Sequence, residues 1–357
     1  MIKIAGKEYS REELQKHFGS LEQIAGIRRF TYSEGRARGV SAVEIRTGSG
    51  LRYIVLPDRG LDIGLCEYRG LPLAYRSAVG ESAPDFFEPA GDGWFRNFGG
   101  GLLVTCGLTY LGAPCTDQGQ DLGLHGRISN IPAEKISIDR EWEGDECFLR
   151  LSGQVREAKT LSTNLLLERE VGSYLGENRI FISDTVRNEG GSKTPHMILY
   201  HFNIGHPILA RAAKFVASSK SVKPRDEVAE KYFDSYNLYR EPTPGYPDVV
   251  FYHDLIEDEN GFCRAGLINE ELKKGIYVKY EQKNLPRFVQ WKFTGTGDYV
   301  TGLEPANCWV GGRDKERENG TLTHLKPGEE KHYKLEFGLL NSRQEIDTFV
   351  KQNGGDN

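Results

Sequence analysis

A succession of short β-type segments is the feature that most constrains how this chain can fold. SAVEIR (41–46), LRYIVL (51–56) and RIFISDTV (179–186) are β-branched or alternate apolar with polar residues, and Gly, Asn, Asp or Pro lie between such segments. The 42 glycines can supply the turns that so many strands need. We predict an all-β protein, a large antiparallel β-sandwich, because the strands do not alternate with long helical patterns.

The two ends of the chain depart from this pattern. Ser10 precedes REELQKH (11–17), which has acids in its first turn and a base near its end, so a short helix is predicted over about 10–18. The polar residues 352–357 are expected to form a flexible tail. Since large sandwiches can exceed 200 residues as one unit, we expect one domain over 1–357.

Charge and hydropathy exclude several classes of partner. The chain has 46 basic and 51 acidic residues and no long Lys or Arg run, which argues against nucleic acid or an anionic membrane surface. It has no uncharged apolar run of roughly 18 residues, and MIKIAGKEYS (1–10) lacks the apolar core of a signal peptide, so a cytoplasmic protein is expected. No Gly-rich phosphate loop follows a strand, which disfavours nucleotides. A small-molecule ligand is therefore the expected partner.

Four stretches combine polar side chains with Gly or Pro, and the first is LPDRGLDIG (56–64). Arg59 and Asp62 could close a turn through a structural ion pair. Alternatively, the planar guanidinium of Arg59 could bind a pair of sugar hydroxyls or a carboxylate. The sequence leaves both interpretations open.

The second stretch, LGLHGRISN (122–130), has His125 and Arg127 on either side of Gly126. In an extended segment the two side chains share one face, and the glycine permits close approach of a ligand to the backbone. A solvated loop that happens to carry a histidine is the alternative.

The third stretch, LYHFNIGHP (199–207), has His201 and Asn203 on one strand face. His201 could be a core histidine or part of a site. A metal pair with His206 is disfavoured because H-x4-H is not a helical i,i+4 spacing and Gly205 interrupts the segment, so no metal is expected.

The fourth stretch is TGLEPANCW (301–309), which contains Glu304 between Leu303 and Pro305. An apolar environment raises the proton affinity of a carboxylate, as a general base near neutral pH requires. An exposed glutamate at a strand end is the alternative interpretation.

Taken in order, LHG (124–126), HFN (201–203) and GLEP (302–305) resemble the galactose mutarotase-like superfamily of aldose 1-epimerases and hexose-6-phosphate 1-epimerases, above all its aldose 1-epimerase-like branch. YRGLPLAY (68–75) and GGGLLVTCGL (99–108) extend the resemblance over most of the chain. It implies one large antiparallel sandwich with a sugar cleft on its concave face. It also implies acid–base chemistry without a cofactor.

The resemblance further implies a role for each motif. Glu304 would take the proton of the anomeric hydroxyl while a histidine protonates the ring oxygen, so that the ring opens and closes again on the other face. His125 matches the LHG histidine. The superfamily pattern H-x-Y-F-N reads LYHFN here, which puts Leu199 at the histidine position and His201 on the same face, about 6.6 Å along the strand.

Six further polar or aromatic side chains of these stretches are expected to bind substrate: Arg59, Asp62, Arg127, Asn203, Asn307 and Trp309. The leading interpretation is an aldose 1-epimerase-like isomerase of carbohydrate metabolism. A non-catalytic carbohydrate-binding or sensing protein is one alternative. Another is isomerisation or elimination on an oxidised or acidic sugar, whose charge Arg59 and Arg127 would suit.

Overall fold

Two large antiparallel sheets form the body of the protein. The structure, a computed structural model, describes residues 1–4 and 6–354. In that part of the chain an eight-stranded and an eleven-stranded sheet enclose a shared apolar core, and neighbouring strands of both sheets are antiparallel. The predicted β-sandwich is confirmed.

The strands of the described residues are, in chain order, β1 (Ile2–Ile4), β2 (Lys7–Tyr9), β3 (Gly26–Thr31), β4 (Ser41–Arg46), β5 (Leu51–Leu56), β6 (Asp62–Tyr68), β7 (Leu71–Pro72), β8 (Leu103–Leu108), β9 (Cys115–Asp117), β10 (Gln120–Leu122), β11 (Glu134–Glu143), β12 (Glu146–Ala158), β13 (Asn164–Tyr174), β14 (Arg179–Asn188), β15 (Thr194–Pro195), β16 (Met197–Gly205), β17 (Ala213–Ala217), β18 (Ser219–Pro224), β19 (Val249–Leu255), β20 (Phe262–Asn269), β21 (Lys274–Glu281), β22 (Arg287–Thr294), β23 (Tyr299–Ala306), β24 (His324–Leu325) and β25 (Glu330–Leu340). The α-helices are α1 (Arg11–His17), α2 (Glu227–Glu230), α3 (Arg313–Glu318) and α4 (Arg343–Asn353).

Strand order decides which side chains can meet. The eight-stranded sheet has the order β11-β12-β13-β14-β25-β21-β20-β17. The larger sheet has the order β18-β19-β22-β23-β16-β8-β6-β5-β4-β3, and β7 pairs with β6. β16 and β23 are therefore neighbours in the middle of the larger sheet, although about a hundred residues separate them in the chain.

Both faces of β16 are covered, and its side chains alternate between two apolar clusters. Tyr200 and Phe202 belong to the core between the sheets, where the Phe202 ring stacks on Phe337 of β25 at 6.1 Å between centroids. Leu199 belongs to a second cluster on the opposite face of the larger sheet. His201 shares that outer face, since it lies two residues from Leu199.

A buried ionic network ties the two sheets together through Arg169 of β13. Its guanidinium donates to both carboxylate oxygens of Asp184 and, through Nη1, to Asp62 Oδ1 at 3.1 Å and Thr105 Oγ1 at 2.9 Å. The Tyr200 hydroxyl donates to Asp184 Oδ2 at 2.7 Å. Asp184 lies in the smaller sheet, whereas Asp62, Thr105 and Tyr200 lie in the larger one, so this network fixes the sheets relative to each other.

The predicted N-terminal helix is present, but the predicted tail is wrong at its start. Ser10 caps α1 by accepting from the Glu13 main-chain nitrogen. At the other end, α4 continues through Gln352 and Asn353, and Asn353 is buried; residues 355–357 lie outside the described residues. No helix in the described part of the chain has both the length and the apolar character to cross a membrane.

The Arg169 network generates a stability prediction. Arg169→Met leaves two buried carboxylates without their cation, so we expect the free energy of unfolding to fall by about 3–5 kcal/mol in denaturant titrations. Arg187→Met on β14 is the matched control, because Arg187 pairs with Glu168 and Glu330 at the surface and its loss should cost at most about 1 kcal/mol. Equal effects of the two substitutions would contradict this role of Arg169.

Candidate active site

His201 and Glu304 form the centre of the candidate site. β16 and β23 pair Leu199 with Ala306 and Phe202 with Leu303, and this register puts His201 directly opposite Glu304. His201 Nε2 lies 3.2 Å from Glu304 Oε1, with both side chains almost fully buried. Within the described residues, Glu304 Oε1 and His201 Nδ1 have no hydrogen-bond partner. Buried polar atoms without partners are costly, so these two are candidates for binding a ligand.

The Glu304 side chain takes its position because residue 302 is a glycine. Gly302 and Glu304 lie on the same face of β23, two residues apart. A Cβ atom at residue 302 would lie 2.0 Å from Glu304 Oε1 and 3.1 Å from Trp291 Cβ. Any larger side chain there must displace the carboxylate.

His125 reaches the same site from a turn. It has a left-handed backbone (φ 56°), and its ring centroid lies 6.0 Å from that of His201. The predicted close approach at Gly126 exists, but carbonyl oxygens of Gly107 and Tyr110 make it, not a ligand.

Arg127 is not brought to the site. Since His125 lies in a turn and not in an extended segment, the predicted sharing of one face by the two side chains is wrong. Arg127 is exposed, and its guanidinium lies over the ring of Phe87, 5.8 Å from the centroid.

Aromatic rings enclose the histidines. Trp94 stacks on Phe98 at 4.6 Å between ring centroids and approaches His125 at 4.8 Å, and Trp291 lies 5.3 Å from His201. Together these side chains bound a cavity of about 200 Å³. At roughly 30 Å³ per water molecule in the liquid, it can hold a small polar molecule.

A carboxylate that the sequence did not indicate lies at the edge of this cavity. Asp248 accepts hydrogen bonds from Trp291 Nε1 and from Arg225 Nη2, the latter at 2.8 Å. Arg225 also donates to Asp226 at 2.7 Å. Asp248 directly follows the Pro-rich loop at 240–247, and no local pattern there indicates that its end reaches the site.

Burial shifts the proton affinities of the central groups in opposite directions. It raises the pKa of Glu304 well above its usual range, and the negative charge of Asp248 adds to the effect. Burial lowers the pKa of His201 to about 3, helped by His125, and lowers the pKa of His125 to about 4. Both histidines are therefore neutral at neutral pH, and the raised pKa of Glu304 favours a single proton on the Glu304–His201 pair.

Arg59 and Asp62 have structural contacts in place of the predicted substrate contacts. The Arg59 guanidinium donates to main-chain oxygens of Ser129, Ser82 and Asn97 at 2.6, 2.7 and 3.0 Å. Asp62 belongs to the buried Arg169 network. Both side chains are buried, and neither lines the cavity.

Asn203, Asn307 and Trp309 also lie outside the cavity wall. Asn203 Nδ2 donates to main-chain oxygens at 2.9 and 3.1 Å, and the Asn307 side chain both accepts from and donates to the main chain beside β16. The Trp309 ring packs on Tyr252 at 4.4 Å between centroids. The two asparagines therefore support β16, which carries His201, whereas Trp309 packs on β19.

The structure thus brings together His125, His201 and Glu304, the three residues predicted to be catalytic. The sequence analysis did not identify the aromatic walls of the cavity or Asp248. Among residues 1–4 and 6–354, no three His, Cys, Asp or Glu side chains are grouped so that they could hold a metal ion.

Comparison with solved structures identifies the fold. A protein of Klebsiella pneumoniae, named provisionally as an aldose 1-epimerase, superimposes with a TM-score of 0.88 at 27% identity over 93% of this chain and 88% of that chain. A galactose mutarotase-like protein of Clostridium acetobutylicum gives 0.64 at 12% identity over 89% and 99% of the two chains. The galactose 1-epimerase of Lactobacillus acidophilus gives 0.59 at 14% identity over 89% and 99%. At such low identities the last two bear on the fold alone.

One protein-family model matches most of the chain. No curated protein matches the sequence. A family model described as a domain of unknown function, DUF4432, matches residues 37–339. The resemblance to the mutarotase-like proteins is confirmed by the structural neighbours. The chain therefore belongs to the DUF4432 family and has the fold of the galactose mutarotase-like proteins.

Proposed function

We propose that the protein is a sugar 1-epimerase that uses Glu304 and His201 as an acid–base pair. The observation that supports this most is the direct contact between the two side chains, 3.2 Å apart; both line the cavity, and each has an unpartnered atom. A buried pair that holds one proton can accept a proton at one member and donate one at the other. The chemistry needs neither redox nor group transfer, so these side chains suffice.

The adjacency of the two groups fits the reaction. In a cyclic sugar the anomeric carbon carries both the ring oxygen and the anomeric hydroxyl, so neighbouring protein groups can reach both. The pKa shifts favour the proton on Glu304 at rest, so it first passes to His201, 3.2 Å away. Glu304 then removes the hydroxyl proton while His201 protonates the ring oxygen, the C1–O bond of the ring breaks, and an open-chain aldehyde forms. Rotation about the C1–C2 bond presents the other face, and the reverse transfers close the ring and restore the pair. His125, 6.0 Å from His201, is the second candidate acid.

The side chains that line the cavity favour a neutral sugar over a sugar acid. Arg225 is the one Lys or Arg side chain among the described residues lining the cavity, and Asp226 and Asp248 already pair with it. Arg59, which could have bound a substrate carboxylate, donates to main-chain oxygens instead. Aromatic faces and a carboxylate acceptor suit the C–H faces and hydroxyls of an uncharged sugar.

Anomer exchange tests the proposal. Freshly dissolved single anomers of neutral aldoses are followed by NMR with and without the protein. We expect acceleration with at least one sugar, and Glu304→Gln and His201→Gln should each lower it by about 10²- to 10⁴-fold, because each removes a proton-transfer group.

Buried residues of the same type elsewhere in the larger sheet serve as controls. Glu44→Gln on β4 and His253→Gln on β19 change buried side chains that do not line the cavity, so they should keep the activity. Sugar binding without any acceleration would contradict catalysis and support a carbohydrate-binding protein. Full activity in Glu304→Gln would contradict its role as base.

Gly302 provides a test of carboxylate position. Gly302→Ala places a methyl group where Glu304 Oε1 lies, so the carboxylate must move. A displacement of about 1 Å can cost 10²-fold in rate, and we expect at least a tenfold loss of activity. Gly191→Ala, with no atom within 4 Å of the added carbon, should be neutral. Unchanged activity in Gly302→Ala would show that the carboxylate position does not matter.

The lowered histidine pKa values generate a pH prediction. Burial lowers the pKa of His201 to about 3 and that of His125 to about 4, so neither histidine should gain a proton between pH 7 and 5. We therefore expect kcat/KM, corrected for the spontaneous reaction, to stay flat over this range. If the reaction needed a neutral histidine with an ordinary pKa of about 6.5, kcat/KM would instead fall about 25-fold over this range. A decline with that midpoint, in protein shown by circular dichroism to remain folded, would contradict the buried pair.

A further inference from the structure

The cavity at His201 and Glu304 adjoins a second, larger groove. Four residues, Phe95, Phe98, Asp248 and Trp291, line both spaces, so they form the boundary between them. The groove has a volume of about 430 Å³, against about 200 Å³ for the cavity. One ring at the acid–base pair therefore leaves the adjoining groove unfilled.

The groove has the wall chemistry of a carbohydrate subsite. Phe293 lies nearly parallel to Trp291, with 26° between the ring planes and 6.5 Å between the centroids, and forms an apolar floor. Asp298, at the rim, accepts a hydrogen bond from the Tyr75 hydroxyl. Aromatic faces bind the C–H faces of pyranose rings, and carboxylates accept hydrogen bonds from their hydroxyls.

Phe95 supports the same interpretation. Its side chain is 51% exposed although it lines both spaces. Exposed phenylalanine at the junction of two cavities leaves apolar surface in water, and a ligand that spans the junction would cover it.

We infer that the groove binds the second ring of a neutral reducing disaccharide whose reducing ring lies at Glu304 and His201. The inference rests on the proposed function. Because ring opening requires a free anomeric hydroxyl, the second ring must be attached through another hydroxyl of the reducing ring. No Lys or Arg lines the groove among the described residues, and Asp248 and Asp298 would repel an anionic ring.

Binding measurements test the inference independently of turnover. Dissociation constants are measured by NMR titration. Those of maltose, cellobiose and melibiose, which share a reducing glucose but differ in linkage, are compared with that of glucose. That of xylobiose is compared with that of xylose. We expect at least one disaccharide to bind tenfold or more tightly than its own reducing sugar.

Two substitutions in the groove locate the effect. Ala78 is exposed and lines the groove, so Ala78→Trp fills it without disturbing the core, and Phe293→Leu removes the aromatic floor. Each should bring the ratio of the two dissociation constants close to one. Leu161→Ser is the control, because Leu161 is fully exposed and does not line the groove, and it should leave the ratio unchanged.

The outcomes separate this inference from the proposed function. If no disaccharide binds more tightly than its reducing sugar, or if the preference persists in both groove variants, the second subsite is wrong. If a disaccharide binds more tightly but no anomer exchange is accelerated, the subsite holds and the epimerase proposal fails.

Discussion

The Arg169 network is the interaction on which the geometry of the site depends. It joins the sheets from inside the sandwich, and one of its members, Tyr200, directly precedes His201 in β16. Because side chains alternate along a strand, the hydrogen bond that holds Tyr200 toward Asp184 also directs His201 to the opposite face. A charge buried in the core thereby fixes the orientation of His201 on the outer face of the larger sheet.

The same sheet carries an unfavourable arrangement that the rest of the fold must stabilise. Glu304 and His201 are buried with unpartnered atoms, and each such atom costs about 1–3 kcal/mol. Gly302 is required beneath the carboxylate, although glycine weakens a strand. Local features that oppose stability yet occur together on two paired strands are typical of functional sites.

The sequence was sufficient for the fold class, for the shared face of Leu199 and His201, and for the apolar environment of Glu304, because each depends on neighbours along the chain. It was insufficient for features that depend on contacts between residues far apart in the chain. The opposition of His201 and Glu304 depends on the pairing of β16 with β23, and Asp248 reaches the site only through its loop. Arg59 was expected to bind substrate because a planar guanidinium suits hydroxyls or a carboxylate, yet it donates to buried main-chain oxygens.

The position of the histidine changes how the proton is shared. A histidine at residue 199, where the superfamily pattern has it, would lie opposite Ala306 and only diagonal to Glu304. Diagonal neighbours on antiparallel strands are about 7–8 Å apart, whereas opposite residues are in contact, so a histidine at 199 could titrate apart from the glutamate. At residue 201 the ring touches the carboxylate. Neither group can then gain or lose a proton without changing the proton affinity of the other, so in the proposed reaction one proton serves both oxygens of the anomeric centre.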